Sequence, residues 1–224
     1  MSAAGESQGS GSGHGIFIAI EGPEGAGKST QVRMLEAWLR ERGRDPLVTR
    51  EPGGTPVAEE VRRILLESDA LSARTELLLM LASRSTLVEA VIRPALEAGR
   101  VVVTDRFHLS TLAYQGYGRA LPFEDVVRMN RFATGGLEPD LTVVLDVEPD
   151  VGAARRTGRS GGPDRIERAG DAFHRRVLEA YRELAAADPR VARLDATPEA
   201  GEIHDRIVAL LRERFGETFG AGEG

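Results

Sequence analysis

Gly22-Pro23-Glu24-Gly25-Ala26-Gly27-Lys28-Ser29-Thr30 has the spacing of a phosphate-binding loop, a glycine and Gly-Lys-Ser with four residues between them. Each part has a chemical reason. Glycines let backbone N–H groups converge on phosphate oxygens with no Cβ in the way. A helix beginning at Lys28 turns its positive end toward the same oxygens. The Lys28 ammonium suits the β- and γ-phosphates, and the Ser29 hydroxyl suits Mg2+. Of the 29 basic residues, 28 are arginine, and Lys28 is the single lysine. A compact ammonium fits a tight phosphate cradle better than a planar guanidinium does.

Other residues could serve a second anion. Asp105 ends the β-branched run Val101-Val102-Val103-Thr104, where a carboxylate beside a phosphate loop can hold Mg2+ or its waters. Arg106 follows it and can clamp a phosphate. Arg50 stands at the end of another short apolar run, before a Pro-Gly-Gly turn. Arg84 interrupts an apolar helical pattern, which by burial statistics favours a solvated face. Gln115 offers the paired donor and acceptor that reading a base edge requires, with Tyr114 and Tyr117 as flat walls. Glu24 would repel a triphosphate, so its side chain is expected to turn toward a group that welcomes an acceptor, such as a sugar hydroxyl. Arg155, Arg156, Arg159, Arg165 and Arg168 surround a Gly- and Ser-rich stretch, the pattern of a basic lid that closes over anionic substrate.

The elements that must position these groups follow from periodicity. Strands are expected over residues 16–21, 46–49, 101–106, 141–147 and 191–195, and helices over 28–42, 56–66, 75–98, 123–133, from 150 to 156, 170–187 and 199–215. Leu77, Leu78, Leu81, Leu87, Val88, Val91 and Ile92 are the core candidates of the long 75–98 helix. Strands alternating with helices give an α/β class, a three-layer α/β/α P-loop NTPase fold with a mostly parallel sheet of about five strands and a short basic lid at about 155–170. Residues 1–14 read as a disordered tail, 15–215 as one domain, and 216–224 as a flexible end.

Composition narrows the function. A net charge of −6 leaves no general basic footprint for nucleic acid. Cysteine is absent and the four histidines are scattered, which argues against disulfides and zinc. No apolar stretch approaches a membrane span, and no leader pattern opens the chain, so a cytoplasmic protein is expected. A guanine-reading Asn-Lys-x-Asp is excluded by the single lysine. A small-molecule kinase accounts best for the extra arginines. A P-loop ATPase or nucleotide-binding switch without a nucleotide acceptor is the alternative.

The chain resembles the thymidylate kinase family over about residues 15–215. The resemblance is carried by Ile20-Glu21 with the phosphate loop, Thr49-Arg50-Glu51-Pro52-Gly53-Gly54-Thr55, Glu76-Leu77-Leu78-Leu79, Ala82-Ser83-Arg84, Asp105-Arg106-Phe107, Ser110 with Ala113-Tyr114-Gln115-Gly116, Asp164-Arg165-Ile166-Glu167 and Asp195-Ala196-Thr197. It implies phosphorylation of dTMP by ATP with Mg2+, on the way to dTTP, and a homodimer. The implied ATP site is Gly22, Pro23, Glu24, Gly25, Ala26, Gly27, Lys28, Ser29 and Thr30, with Mg2+ near Ser29 and Asp105 and the adenine beside residues 195–197. Arg50 and Arg106 would clamp the dTMP phosphate, and Glu24 would meet the 3′-hydroxyl. Arg84 and Gln115 would read thymine with Ser110 nearby, and Tyr114 would exclude a ribose 2′-hydroxyl. Met80 stands where the family usually has the phenylalanine that stacks on the base. Pro23, Glu24, Gly25 and Ala26 put no arginine in the loop, so the lid would supply it, with Arg159 the first candidate and Arg156 and Arg165 the alternates. Lys28, Arg106 and Arg159 are thus the implied catalytic set.

Overall fold

The computed structural model describes residues 15–156 and 164–219. The expected N-terminal tail lies outside them, as do Arg159 and the rest of residues 157–163 of the expected lid. In chain order the elements are β1 (Phe17–Glu21), α1 (Lys28–Glu41), β2 (Leu47–Arg50), α2 (Pro56–Glu67), α3 (Ala73–Leu87), a π-helical segment (Val88–Ile92), α4 (Arg93–Glu97) and β3 (Val102–Asp105). Then come α5 (His108–Thr111), a second π-helical segment (Leu112–Gly118), α6 (Phe123–Thr134), β4 (Leu141–Asp146), α7 (Pro149–Arg156), a 3-10 turn (Glu167–Ala169), α8 (Asp171–Ala187), β5 (Val191–Asp195), α9 (Ala200–Arg214) and α10 (Gly216–Phe219).

The five strands form one parallel sheet in the order β2-β3-β1-β4-β5. β1 is central and buried along its whole length, as its unbroken apolar run requires. Alternate residues serve the two faces. Ile18 and Ile20 pack with Leu35 and Leu39 of α1 and Ile207 and Leu211 of α9. Phe17 and Ala19 face Leu87, Val88, Ile92 and Leu96 on the other side. β1 lies between β3 and β4, so connections leave it in both directions and a crevice opens at the carboxyl ends of the strands. Among the described residues no helix is long and apolar enough to cross a membrane.

Three local expectations are corrected. The single helix over 75–98 is interrupted by the π-helical segment, where the Arg93 N–H reaches back to the Val88 carbonyl. Pro94 gives the reason: it has no N–H to donate and its ring crowds the carbonyl four residues back, which a widened turn relieves. Leu78 is 55% exposed, while Leu77 and Leu81 on the same helix are buried. The C-terminal end is ordered through Phe219, which is 3% exposed and packs on the rings of Trp38 and Phe215. One buried aromatic ring offsets the ordering of this Gly-containing end.

Candidate active site

The crevice holds a cleft of about 970 Å3, part of it open to solvent, floored by the phosphate loop. The loop connects β1 to α1, and Gly22 and Gly25 have φ of 136° and 78°. A Cβ on Gly25 would lie 2.2 Å from the Gly152 carbonyl oxygen, so the loop and α7 touch backbone to backbone. Lys28 is buried in the first turn of α1 and donates to the Pro23 carbonyl at 2.7 Å. Burial, and then the nearby Arg106, lower its pKa to about 8. Ser29 Oγ donates to Asp105 Oδ2 at 2.6 Å, so an oxygen from the first turn of α1 and one from the end of β3 meet beside the loop.

Arg106 follows β3 with φ of 73°, a conformation uncommon outside glycine. Its carbonyl accepts from the Thr104 hydroxyl, and its N–H reaches the Ile20 carbonyl at 2.9 Å. The guanidinium donates to the Gly22 carbonyl at 3.1 Å, Ser110 Oγ at 3.0 Å, the Tyr181 hydroxyl at 3.2 Å, the Tyr114 hydroxyl at 3.1 Å and Glu24. Burial opposes the charge, but Tyr114 and Glu24 hold its pKa well above the ordinary value. Behind it, Glu21 is fully buried and accepts from the N–H groups of Phe107 and Ser110 and the hydroxyls of Ser110 and Tyr181. Glu21 and Tyr181 therefore set the turn that carries Arg106 and Ser110. Neither was given a role from sequence: Glu21 ends its apolar run as Asp105 does, but its partners lie 86 to 160 residues away.

Arg50 lines the cleft and is paired with Glu59, which also accepts from the Gly54 N–H at 2.9 Å. Arg84 is placed differently from a base reader. It is 0% exposed and lies behind the cleft wall. Its five N–H groups go to Glu51, Thr111, Asn130 and the Phe107 carbonyl, so it reaches a base only by giving up one of these bonds. The solvated face that burial statistics favoured is also excluded. Glu51 lines the cleft next to Pro52, and burial raises its pKa against the pull of Arg84.

Met80, Tyr114, Gln115 and Ser110 share the cleft wall, together with Arg62, Leu66, Asp164, Ile166 and Glu167. Arg62, which donates to the Pro52 carbonyl at 2.9 Å, was not singled out from sequence. Tyr117 is no wall: its hydroxyl donates to Glu183 and its ring packs edge-on against Phe123. Of the basic segment, Arg155 donates to the Ala196 and Thr197 carbonyls at 2.7 and 3.0 Å, and Arg165 donates to Glu76 at 2.6 Å. Arg159 and the Arg156 side chain lie outside the described residues.

One cleft that joins a phosphate loop to Arg50, Arg106 and Gln115 suits a nucleotide kinase, and comparison with known proteins specifies which. The family model for thymidylate kinase matches residues 20–207. The chain belongs to the thymidylate kinase family. It is 46% identical over 211 residues to a thymidylate kinase of Symbiobacterium thermophilum, covering 92% of this chain and 98% of that protein. It is 49% identical over 200 residues to one of Pseudomonas putida, covering 88% and 95%. Among solved structures, thymidylate kinase from Ehrlichia chaffeensis superposes with a TM-score of 0.74 at 28% identity, covering 88% of this chain and 98% of that one. Thymidylate kinases are nucleoside monophosphate kinases that phosphorylate dTMP to dTDP, and that is the reaction this family assigns to the chain. ATP and dTMP are the substrates of a thymidylate kinase.

Proposed function

We propose that the two ends of the cleft divide the substrates. ATP lies along the phosphate loop, Gly22 to Thr30, with Lys28 on its β- and γ-phosphates, and dTMP lies between Arg50, Arg106, Tyr114, Gln115 and Met80. The observation that carries this is the position of Arg106, one side chain in contact with the loop carbonyl of Gly22 and with Tyr114 across the cleft. An anion bound there stands in line with a phosphate held by Lys28. Glu24, in contact with Arg106 and Tyr114, would meet a sugar hydroxyl from within that network.

Mg2+ fits the oxygens of Ser29 and Asp105. Among the described residues no cluster of three or more His, Cys, Asp or Glu could hold a metal. One or two hard oxygen ligands, completed by phosphate and water, suit Mg2+ rather than a protein cage. When bound, the ion would neutralise charge on the phosphates. The chain's own part is positioning. A 5′-phosphate oxygen of dTMP attacks the γ-phosphorus as the bridging oxygen of ADP leaves, while Lys28, Arg106 and a lid arginine, Arg159 first, offset the developing charge. Discrimination against dUMP rests on one methyl group, worth ~1–3 kcal/mol, and Met80 packs less rigidly on a base than a phenyl ring.

We propose further that the enzyme is a cytoplasmic homodimer. Val57 and Ile64 on α2 and Leu78 on α3 are exposed, and Leu78 borders an apolar groove with Leu121, Pro122 and Met129, which supports burial of this face against a second copy. Sedimentation of Leu78→Glu at half the mass of the parent is the expected result.

An ADP-release assay with ATP, Mg2+ and a panel of dTMP, dUMP, dCMP, dGMP, AMP or no acceptor tests the site. Release with dTMP, less with dUMP and little with the others supports it. Acceptor-independent release would instead favour an ATPase.

A further inference from the structure

Glu76 is 1% exposed, in the first turn of α3, and no part of the chemistry above uses it. Three side chains converge on its carboxylate. Arg119 donates at 3.0–3.2 Å, Arg165 at 2.6 Å and the Gln115 Nε2 amide at 2.8 Å. Burial works against the charge, but the bonds from Arg119, Gln115 and Arg165 lower its pKa below the ordinary carboxylate value. The helix N-terminus acts in the same direction. An ionised carboxylate only accepts hydrogen bonds, so the Gln115 amide has one tolerable orientation, with its NH2 toward Glu76. The opposite orientation would set a carbonyl oxygen against a carboxylate oxygen at hydrogen-bond distance. The consequence is at the other end of the amide. Gln115 is 1% exposed and lines the cleft, and its Oε1 is buried with no hydrogen-bond partner. A buried acceptor without a donor costs free energy unless a ligand supplies one.

We propose that Glu76 is a positioning residue for base selection: it holds the Gln115 amide so that its carbonyl meets the base, and the site therefore takes bases that carry a ring N–H at that edge. Thymine and uracil carry N3–H, whereas cytosine presents a bare nitrogen there, which would face the carbonyl lone pairs. Arg165 shares the same carboxylate and is itself anchored to the Leu65 carbonyl at 3.0 Å.

This inference rests on the reading that the dTMP base lies against Gln115. The test compares kcat/KM for dTMP and dCMP in Glu76→Gln, Gln115→Leu and the double variant. A neutral amide at 76 no longer dictates which way Gln115 faces. The dTMP-over-dCMP ratio is expected to fall about tenfold or more in each single variant, with no further fall in the double variant because both act through one contact. Equal losses for dTMP and dCMP in Glu76→Gln, or independent losses in the double variant, would overturn the role of Glu76. A parent enzyme that does not distinguish dTMP from dCMP would overturn the base-site reading itself. Should Glu76→Gln fail to fold, the parent enzyme still decides: N3-methyl-dTMP, which lacks the donor, is expected to bind about tenfold or more weakly than dTMP, and equal binding would sink the proposal.

Discussion

Arg106 and Glu24 are joined as an ion pair across the mouth of the phosphate loop, with the Tyr114 hydroxyl in contact with both. A phosphate arriving at Arg106 meets a guanidinium already held by five acceptors, so little ordering remains, and it binds by displacing part of that set. Arg106→Ala is expected to lower kcat/KM for dTMP by about 10^2-fold or more, read from steady-state rates. Arg106→Lys recovers little, since one ammonium cannot span the Gly22 carbonyl, Glu24 and a substrate phosphate together.

Glu51 and Arg84 form a second pair with no solvent access. Arg84→Met leaves the Glu51 carboxylate and the Phe107 carbonyl buried without their donor. Breaking such a pair from one side costs about 3–5 kcal/mol, to be measured by urea unfolding. The double variant Arg84→Met with Glu51→Gln is expected to regain part of this loss, because the stranded charge is gone.

Lys28 sets a trade between stability and turnover. Its pKa is about 8 in the folded chain against 10.5 for the free side chain. Between these values the unfolded state binds more protons, so this group makes stability rise with pH from about 8 to 10.5. Below about 8 the full cost of burying the ammonium is present, on the order of 3 kcal/mol. Lys28→Met is expected to be more stable than the parent at pH 7, with the advantage shrinking toward pH 10, and to have lost turnover. Denaturation midpoints at the two pH values check the sign.

Phe219 closes the α1–α9 side of the core. Phe219→Ala is expected to destabilise by about 2 kcal/mol and to shift the emission of Trp38, the single tryptophan, without changing kcat. Activity falling in step with stability would instead tie the C-terminal end to the site.

The sheet and the loop were legible because their signals are local. A continuous apolar run followed by glycines and a helical period needs no distant partner to be read, and β1 and α1 stand within one residue of expectation. Arg84 was misjudged because its acceptors are 23 to 46 residues away, and sequence spacing says nothing about such distances. Glu21, Glu76 and Tyr181 acquire a role only where strands and helices bring donors to them. Phe219 was hidden by the glycines around it. Pro94 was visible, and its effect was to widen a helix rather than end it.

Lys28 is the only side-chain amine in the chain, and its ammonium is tied to the loop carbonyl of Pro23. A lysine-specific protease therefore has one peptide bond to cut, Lys28–Ser29, in the first turn of α1. Cleavage there requires that turn to unwind, so the digestion rate clocks the opening of the phosphate cradle wherever it precedes unfolding of the whole chain. Bound nucleotide should slow that clock in proportion to its occupancy, giving a label-free reading of the ATP site in a chain where every other cation is an arginine or a histidine.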